Sequence, residues 1–157
     1  MKLLSFNLNK TTLFLYSVFL VLLVAAMYQG VGDLELDADD HGYFNASSNE
    51  NLVSSLLFPL GEFSQSRPVT EWLFLFLHQF WGNQYALYHW FLVGLHVVAC
   101  LSLVFTYLEL EYGEELALVG GLLFAANVAH FRAVHWIVCM AYPLSLILGC
   151  AVIVSYV

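Results

Sequence analysis

The chain has 157 residues, of which 61% are hydrophobic, 17% are aromatic and only four are Lys or Arg. This composition excludes an ordinary soluble domain and indicates an integral membrane protein. The formal net charge of −8 argues against nucleic acid as a partner and against attachment to anionic lipid through basic patches. Cys100, Cys139 and Cys150 lie in apolar stretches without paired spacing, so we interpret them as small apolar residues inside helices.

The first transmembrane helix is predicted at about residues 11–32. This stretch is uncharged and long enough for the roughly 20 residues that a membrane-spanning helix needs. Lys2 and Lys10 precede it and acidic residues follow it, so the positive-inside rule places the N-terminus in the cytoplasm. A cleaved signal peptide is the alternative, but the apolar stretch is longer than the roughly 7 to 15 residues of a signal core. We therefore expect an uncleaved anchor.

An outer loop, residues 33–84, follows and begins with a concentration of acid. Four of the twelve acidic residues of the chain lie within six positions there, namely Glu35, Asp37, Asp39 and Asp40. Like charges that are close together raise each other's pKa, and such a pair can act as a general base or bind a cation. The ordinary alternative is a set of solvated loop carboxylates. We predict Asp39 and Asp40 as catalytic candidates and leave the choice between them open.

The remainder of this loop is expected to contain one or two helices at the membrane interface. Residues 52–60 form a short apolar piece suited to the membrane surface. Pro68 with Glu71 close behind it is a helix-start signal, and predicts an aromatic-rich helix at residues 68–81. This helix is expected to lie in the interface or to dip into the membrane.

Three further spans complete an all-α membrane protein with about four transmembrane helices. They are predicted at about residues 85–107, 116–128 and 137–157, the last with a kink at Pro143. The predicted domain organisation is a single transmembrane region over residues 1–157. We expect the chain to be the N-terminal part of a longer protein.

Alternation of the spans brings the acidic run, Arg67 and residues 130–135 to the outer side. Both arginines, Arg67 and Arg132, then lie on the side that is normally poor in basic residues. Each can bind a phosphate through two parallel hydrogen bonds. The alternative is a salt bridge with one of the outer carboxylates, Asp37, Asp39 or Asp40.

Two histidines are predicted inside the second span. His89 and His96 are seven residues apart and therefore share one face of a helix. Ionisable residues inside a membrane are candidates for function, although a neutral histidine bonded to a backbone carbonyl is the more common outcome. No strong metal motif and no cofactor are predicted, although paired carboxylates can bind a divalent cation.

The order of these motifs resembles a known family. In members of this family, a first span is followed by an Asp-Asp pair, a loop with Arg-Pro, then Tyr-His and a second His seven residues later. The matching residues in this chain are Asp39-Asp40, Arg67-Pro68, Tyr88-His89 and His96. The next outer loop has the pattern Phe-Ala-x-His-Pro-x-His-x-Glu-Ala-Val-x-Trp, which residues 124–136 resemble. The chain is thus similar to the N-terminal part of C-type membrane glycosyltransferases, which use lipid-linked sugar donors and include protein O-mannosyltransferases.

The resemblance implies inverting transfer of a sugar from a polyprenyl phosphate to a protein, lipid or glycan acceptor at the extracytoplasmic face. Asp39 or Asp40 would be the general base. Arg67, His130 and His89 would shape the pocket or contact the donor phosphate. The implied location is a multi-pass position in a bacterial inner membrane or the eukaryotic endoplasmic reticulum.

The chain departs from this pattern at two places. Asn127-Val128 replaces the first His-Pro, and Arg132, a candidate substrate-binding residue, stands where the family usually has an acid. Two other interpretations therefore remain. One is a non-catalytic membrane scaffold or assembly subunit. The other is a small redox or metal protein in which haem is bound by histidines chosen from His89, His96, His130 and His135.

Overall fold

The computed structural model describes residues 9–47 and 67–157, and every regular element within these ranges is helical. The α-helices are α1 Lys10–Met27, α2 Ala38–Ser47, α3 Pro68–Trp81, α4 Tyr85–Glu109, α5 Glu114–Ala125, α6 Phe131–His135 and α7 Ala141–Tyr156. Short 3₁₀ helices occupy Val31–Asp33, Val128–His130 and Ile137–Met140. The predicted apolar piece at residues 52–60 lies outside the described residues.

Three stretches are long and apolar enough to cross a membrane. They are Lys10–Asp33, Tyr85–Glu109 and Ile137–Tyr156, with 24, 25 and 20 residues. They coincide with the predicted spans at 11–32, 85–107 and 137–157. The all-helical class is therefore confirmed for the described residues, and three of the predicted spans coincide with stretches that are long and apolar enough to cross a membrane.

The segment predicted as a span at residues 116–128 contains a shorter helix. α5 has 12 residues, so it is about 18 Å long, whereas the hydrocarbon core of a bilayer is about 30 Å thick. Its first turn contains Glu114 and Glu115, and its last helical residue is Ala125. Apolar composition continues past Ala125, but the 3₁₀ helix Val128–His130 follows after a break. α5 therefore covers most of the predicted segment but is too short to cross the hydrocarbon core, so a span here is not supported.

The helix starts follow simple local chemistry. Asn9 caps α1, because its side-chain oxygen accepts a hydrogen bond from the N–H of Thr11 at 3.2 Å. Pro68 is the first residue of α3, where its missing N–H costs nothing, as predicted. Pro143, expected at a kink, lies in the first turn of α7 directly after the 3₁₀ helix Ile137–Met140. At that position too, the helix does not require the absent N–H.

The chain divides into two compact units. Among the described residues, the first unit contains residues 9–29, 93–130 and 143–157, and the second contains residues 30–47, 67–92 and 131–142.

The first unit joins α1 to α5 through Tyr16. Its hydroxyl donates a hydrogen bond to the backbone carbonyl of Leu118 at 2.8 Å. Tyr16 also packs against a buried cluster of Val104, Leu108 and Ala117, contributed by α4 and α5. Close packing of small residues and an interhelical hydrogen bond are the usual stabilising contacts between membrane helices.

Gly121 allows this close approach, and replacing it is expected to be destabilising. A Cβ at Gly121 would collide with Cγ2 of Val104 and lie 2.7 Å from the Tyr16 hydroxyl oxygen, which the bond to Leu118 holds in place. We expect Gly121→Ala to lower the free energy of unfolding by about 1–3 kcal/mol, the usual cost of overpacking. Thermal unfolding in detergent, followed by tryptophan fluorescence, measures this change.

Gly149 provides the matched control for that prediction. It lies within α7, and a methyl group added there would meet no atom of a neighbouring segment within 4 Å. Gly149→Ala is expected to leave stability unchanged or raise it by up to about 1 kcal/mol through helix propensity. Equal effects of the two substitutions would contradict the contact of α1, α4 and α5 at Gly121.

The second unit has an aromatic core. Phe44 of α2 lies 5.0 Å, centroid to centroid, from the rings of Phe74, Tyr85 and Tyr88. All these pairs are edge-on, the arrangement that aromatic quadrupoles favour. Tyr88 is fully buried here, and its hydroxyl donates to the Gly82 carbonyl at 2.8 Å. This core fixes α2, which bears Asp39 and Asp40, and α3, which Arg67 directly precedes.

Candidate functional site

Asp40 is held inside the second unit by backbone N–H groups. Its Oδ1 accepts a hydrogen bond from the N–H of Val138 at 2.9 Å, and its Oδ2 accepts one from the N–H of Asp37 at 3.3 Å. The bond from Asp37 corresponds to half of a capping box at the start of α2. The Asp40 side chain is fully buried. Both carboxylate oxygens therefore already have a structural partner.

Burial also alters the acidity of Asp40. Loss of hydration raises its pKa above the ordinary value, while the N–H groups of Val138, Ile137 and Asp37 act in the opposite direction. Burial is the larger effect. The Asp40 carboxyl therefore connects the start of α2 to the 3₁₀ helix Ile137–Met140 from a fully buried position.

Asp39 has the opposite environment although it is the next residue along the chain. Successive residues on an α-helix point about 100° apart, and the Asp39 side chain is exposed. A general base must come within hydrogen-bond distance of the proton that it removes. Of the two acids that the sequence left as alternatives, only Asp39 is accessible in this structure.

Arg67 lies at the start of α3 and is half-buried. Its backbone N–H donates to Oε1 of Glu71 at 3.3 Å, so the buried Glu71 carboxylate caps the helix start. The Arg67 guanidinium interacts electrostatically with Tyr43 and Cys139. It thus lies among buried polar groups of α2 and of the 3₁₀ helix Ile137–Met140.

Arg132 of α6 is exposed and lies over an aromatic ring. Its Cζ is 5.1 Å from the centroid of the Trp136 ring, within the range of a cation–π interaction. This contact orients the guanidinium without neutralising it. The predicted alternative role for the two arginines, a salt bridge with an outer carboxylate, stays a prediction.

Four of the six predicted site residues act electrostatically on the same side chain. Asp39, Asp40, Arg67 and Arg132 all interact electrostatically with Cys139 in the 3₁₀ helix Ile137–Met140. We call this group the charged cluster. It combines two carboxylates with two guanidinium groups, so its formal charges balance when all four are ionised. It can therefore admit an anion beside a carboxylate without large net repulsion.

His89 belongs to the same unit but is fully enclosed. Its side chain has no exposed surface, and neither ring nitrogen has a hydrogen-bond partner in the described part of the structure. His135 is near enough to interact with it electrostatically. A buried polar group without a hydrogen-bond partner destabilises the folded state, so a further polar group that bonds to His89 would be stabilising.

His130 belongs to the first unit, whereas the charged cluster belongs to the second. Its ring centroid is 5.4 Å from that of His96 and 4.1 Å from that of Phe124. Burial lowers the pKa of His130, because the protonated form loses hydration. Nε2 of His96 lies 3.5 Å from the carbonyl oxygen of Ala125, the backbone contact expected of a structural histidine. The predicted role of His130 at the donor phosphate stays a prediction.

Sequence reasoning did not single out Tyr43, and it used Glu71 only as part of a helix-start signal. Tyr43 is almost completely buried, and its hydroxyl has no hydrogen-bond partner in the described part of the chain. Burial, followed by the charge of Glu71, raises the pKa of Tyr43 to about 12. The sequence spacing could have indicated that Tyr43 lies near the two aspartates, since it follows Asp39 by four residues and Asp40 by three on the same helix.

Removing the Tyr43 hydroxyl is expected to cost no stability. Tyr43→Phe deletes an unpartnered buried hydroxyl and should leave the free energy of unfolding unchanged or raise it. Tyr88→Phe is the matched control, because the Tyr88 hydroxyl bonds to Gly82 and its loss should cost about 0.5–1.5 kcal/mol. Denaturant titration in detergent tests the pair, and an equal loss in Tyr43→Phe would show that its hydroxyl has a partner.

The described residues contain no group of three or more His, Cys, Asp or Glu side chains arranged to hold a metal ion. Among the histidines considered for haem, Phe124 packs against the rings of both His96 and His130.

Comparison with known proteins gives no match to a family model, to a curated protein or to a solved structure.

Proposed function

We propose that this chain is the site-bearing part of a membrane glycosyltransferase that takes its sugar from a polyprenyl-phosphate-linked donor. The observation that carries the proposal is the charged cluster. An accessible carboxylate, Asp39, and two guanidinium groups all interact electrostatically with the Cys139 side chain. Transfer from a lipid-linked sugar requires such a set, because it needs a base for the acceptor and cations for the departing phosphate.

In this mechanism Asp39 removes the proton from an acceptor hydroxyl. The acceptor oxygen forms a new bond to the anomeric carbon of the sugar as the bond between that carbon and the phosphate oxygen breaks. The electron pair of the broken bond stays with the polyprenyl phosphate. Arg67 and Arg132 stabilise the negative charge on this leaving group.

Asp40 acts in this scheme as a positioning residue. Its bonds to Val138 and Asp37 connect the start of α2 to the 3₁₀ helix Ile137–Met140. That connection holds Asp39 close to the segment on which Cys139 lies. A base must be oriented to within a fraction of an ångström to be effective, so indirect support of this kind matters for rate.

The family that the sequence resembles usually has an acidic residue at the position of Arg132. The arginine takes a different role. The Trp136 ring beneath the guanidinium supports its orientation. An arginine here adds a second phosphate-binding group and removes a possible metal ligand. The proposed enzyme therefore binds the donor phosphate through cationic side chains. Its site lies at the extracytoplasmic face of a multi-pass membrane protein whose N-terminus is in the cytoplasm.

The test is a donor-breakdown assay with the full-length protein in lipid vesicles. Mannosyl and glucosyl polyprenyl phosphates are supplied together with a membrane extract from the source organism as acceptor. Mass spectrometry then follows release of polyprenyl phosphate and gain of one sugar on an acceptor. Release above the level of protein-free vesicles is expected. Absence of release with both supplied donors in the presence of the source's own membrane extract would contradict the proposal and favour a non-catalytic scaffold.

A further inference from the structure

The exposed face of α3 is largely apolar, with Gln79 as its polar member. Val69, Trp72, Phe76 and Phe80 are 61%, 43%, 55% and 69% exposed, respectively. Their spacing of three or four residues places them in one continuous stripe along the helix. The Phe76 and Phe80 rings are 5.0 Å apart, centroid to centroid. We call these four residues the aromatic stripe.

The opposite face of α3 contains the polar groups. Thr70 and Glu71 are buried, and His78 is half-buried. Glu71 caps the start of its own helix, and His78 lies against the Phe44 ring with centroids 5.8 Å apart. The buried face also includes the apolar Phe74, Leu75 and Leu77, so α3 is apolar on both faces. A helix on a water-facing surface instead has charged residues outward, so the aromatic stripe fits an apolar medium better than water.

The length and ends of α3 define how it meets an apolar medium. Its 14 residues extend about 21 Å, which is too short for the roughly 30 Å hydrocarbon core of a bilayer. Arg67 precedes it, and the polar turn Gly82-Asn83-Gln84 follows it. Since both ends are polar, neither end can lie deep in hydrocarbon at low cost.

We propose that α3 lies parallel to the membrane with the aromatic stripe inserted among the outer parts of the phospholipid acyl chains. The partner is lipid because α4, a candidate span, begins at Tyr85, directly after the turn that ends α3. This places the C-terminal end of α3 at a membrane boundary. Large aromatic side chains with an uncharged face are the usual means by which an in-plane helix binds a leaflet.

This placement gives Arg67 a defined depth in the membrane. An in-plane α3 with its stripe in the acyl region holds the residue before it, Arg67, at the level of lipid headgroups. That is the depth at which the phosphate of a lipid-linked molecule lies. The placement of α3 does not depend on sugar transfer and is tested separately.

The test uses the full chain in vesicles of phosphatidylcholine with bromine near the headgroup end, in the middle or near the methyl end of the acyl chain. Bromine quenches tryptophan fluorescence on contact. The difference between wild type and Trp72→Phe isolates the signal of Trp72. We expect quenching of this signal to be at least about twofold and strongest with bromine near the headgroup end.

Trp81→Phe is the matched control on the same helix. Trp81 is half-buried against Tyr88, at a ring-centroid distance of 5.2 Å, so protein shields it and its signal should be quenched less. No quenching of the Trp72 signal by any brominated lipid would mean that water or protein covers the stripe, and would overturn the proposal. Strongest quenching with bromine near the methyl end would overturn the in-plane arrangement.

Discussion

Asp39→Asn is expected to reduce sugar transfer at least about 100-fold, the contribution typical of a general base, while leaving the protein folded. Asparagine preserves the size of the side chain and its hydrogen-bonding shape but cannot accept the acceptor's proton. Because Asp39 is exposed, the substitution breaks no buried contact. Release of polyprenyl phosphate from the lipid-linked sugar, measured at saturating donor, gives the rate. Thermal unfolding of the same preparation confirms that the fold is retained.

Glu35→Gln is the matched control for the loss of the Asp39 carboxylate. Glu35 is an exposed acid in the same run, before the start of α2. It does not take part in the charged cluster, so its neutralisation should change the transfer rate by less than about twofold. Full activity in Asp39→Asn, or equal losses in the two variants, would show that Asp39 is not the base.

Asp40→Ala is expected to lower the free energy of unfolding by roughly 2–4 kcal/mol, because it leaves two buried N–H groups, those of Val138 and Asp37, without their acceptor. This is a large fraction of the stability of a typical protein. The start of α2 would lose its connection to the 3₁₀ helix Ile137–Met140. Chemical denaturation in detergent, followed by tryptophan fluorescence, measures the change.

The comparison with Asp39→Ala separates the structural role of Asp40 from the general effect of removing an acid. Asp39→Ala removes an exposed side chain and should shift stability by less than about 0.5 kcal/mol. A similar loss of stability in both variants would contradict the buried hydrogen bond between the N–H of Val138 and the Asp40 carboxylate. Loss of transfer in Asp40→Ala at temperatures where it remains folded would be a consequence of misplacing Asp39.

The helices with clear local signals were predictable from the sequence. Pro68 and Glu71 located the start of α3, and the turn at Gly82 located its end, so the helix predicted at residues 68–81 is confirmed at Pro68–Trp81. The candidate spans were predictable because each is a long stretch with almost no charge. Helix-start chemistry and uninterrupted hydrophobicity act within one segment and can be read without knowing the fold.

The environment of the acidic run was not predictable in the same way. Asp39 and Asp40 are adjacent and chemically identical, so no local pattern distinguishes them. What separates them is the N–H of Val138, which is 98 residues further along the chain and determines which carboxylate is buried. A tertiary contact of this length has no local signal.

The surroundings of the two histidines in α4 were not predictable either, because they also depend on tertiary contacts. His89 and His96 share one face of α4 as predicted, but His89 belongs to the second unit and His96 to the first. His96 has a backbone carbonyl beside it, whereas His89 has no hydrogen-bond partner among the described residues. The period of the helix predicts the shared face, but the neighbours of each ring depend on segments far away in sequence.

Binding of the donor phosphate tests the central claim, that the charged cluster is a site for a lipid-linked anion, without requiring the sugar or acceptor to be known. Native mass spectrometry of the full-length protein compares the binding of undecaprenyl phosphate with that of undecaprenol. The measurement is made on wild type, on Arg67→Ala and on Lys10→Ala, a control at a position far from Arg67 in the sequence. We expect wild type to prefer the phosphate, and Arg67→Ala to weaken its binding at least about tenfold, as for loss of a hydrogen bond to a charged group, with no change in Lys10→Ala. Equal binding of the phosphate and the alcohol, or an unchanged affinity in Arg67→Ala, would contradict the account.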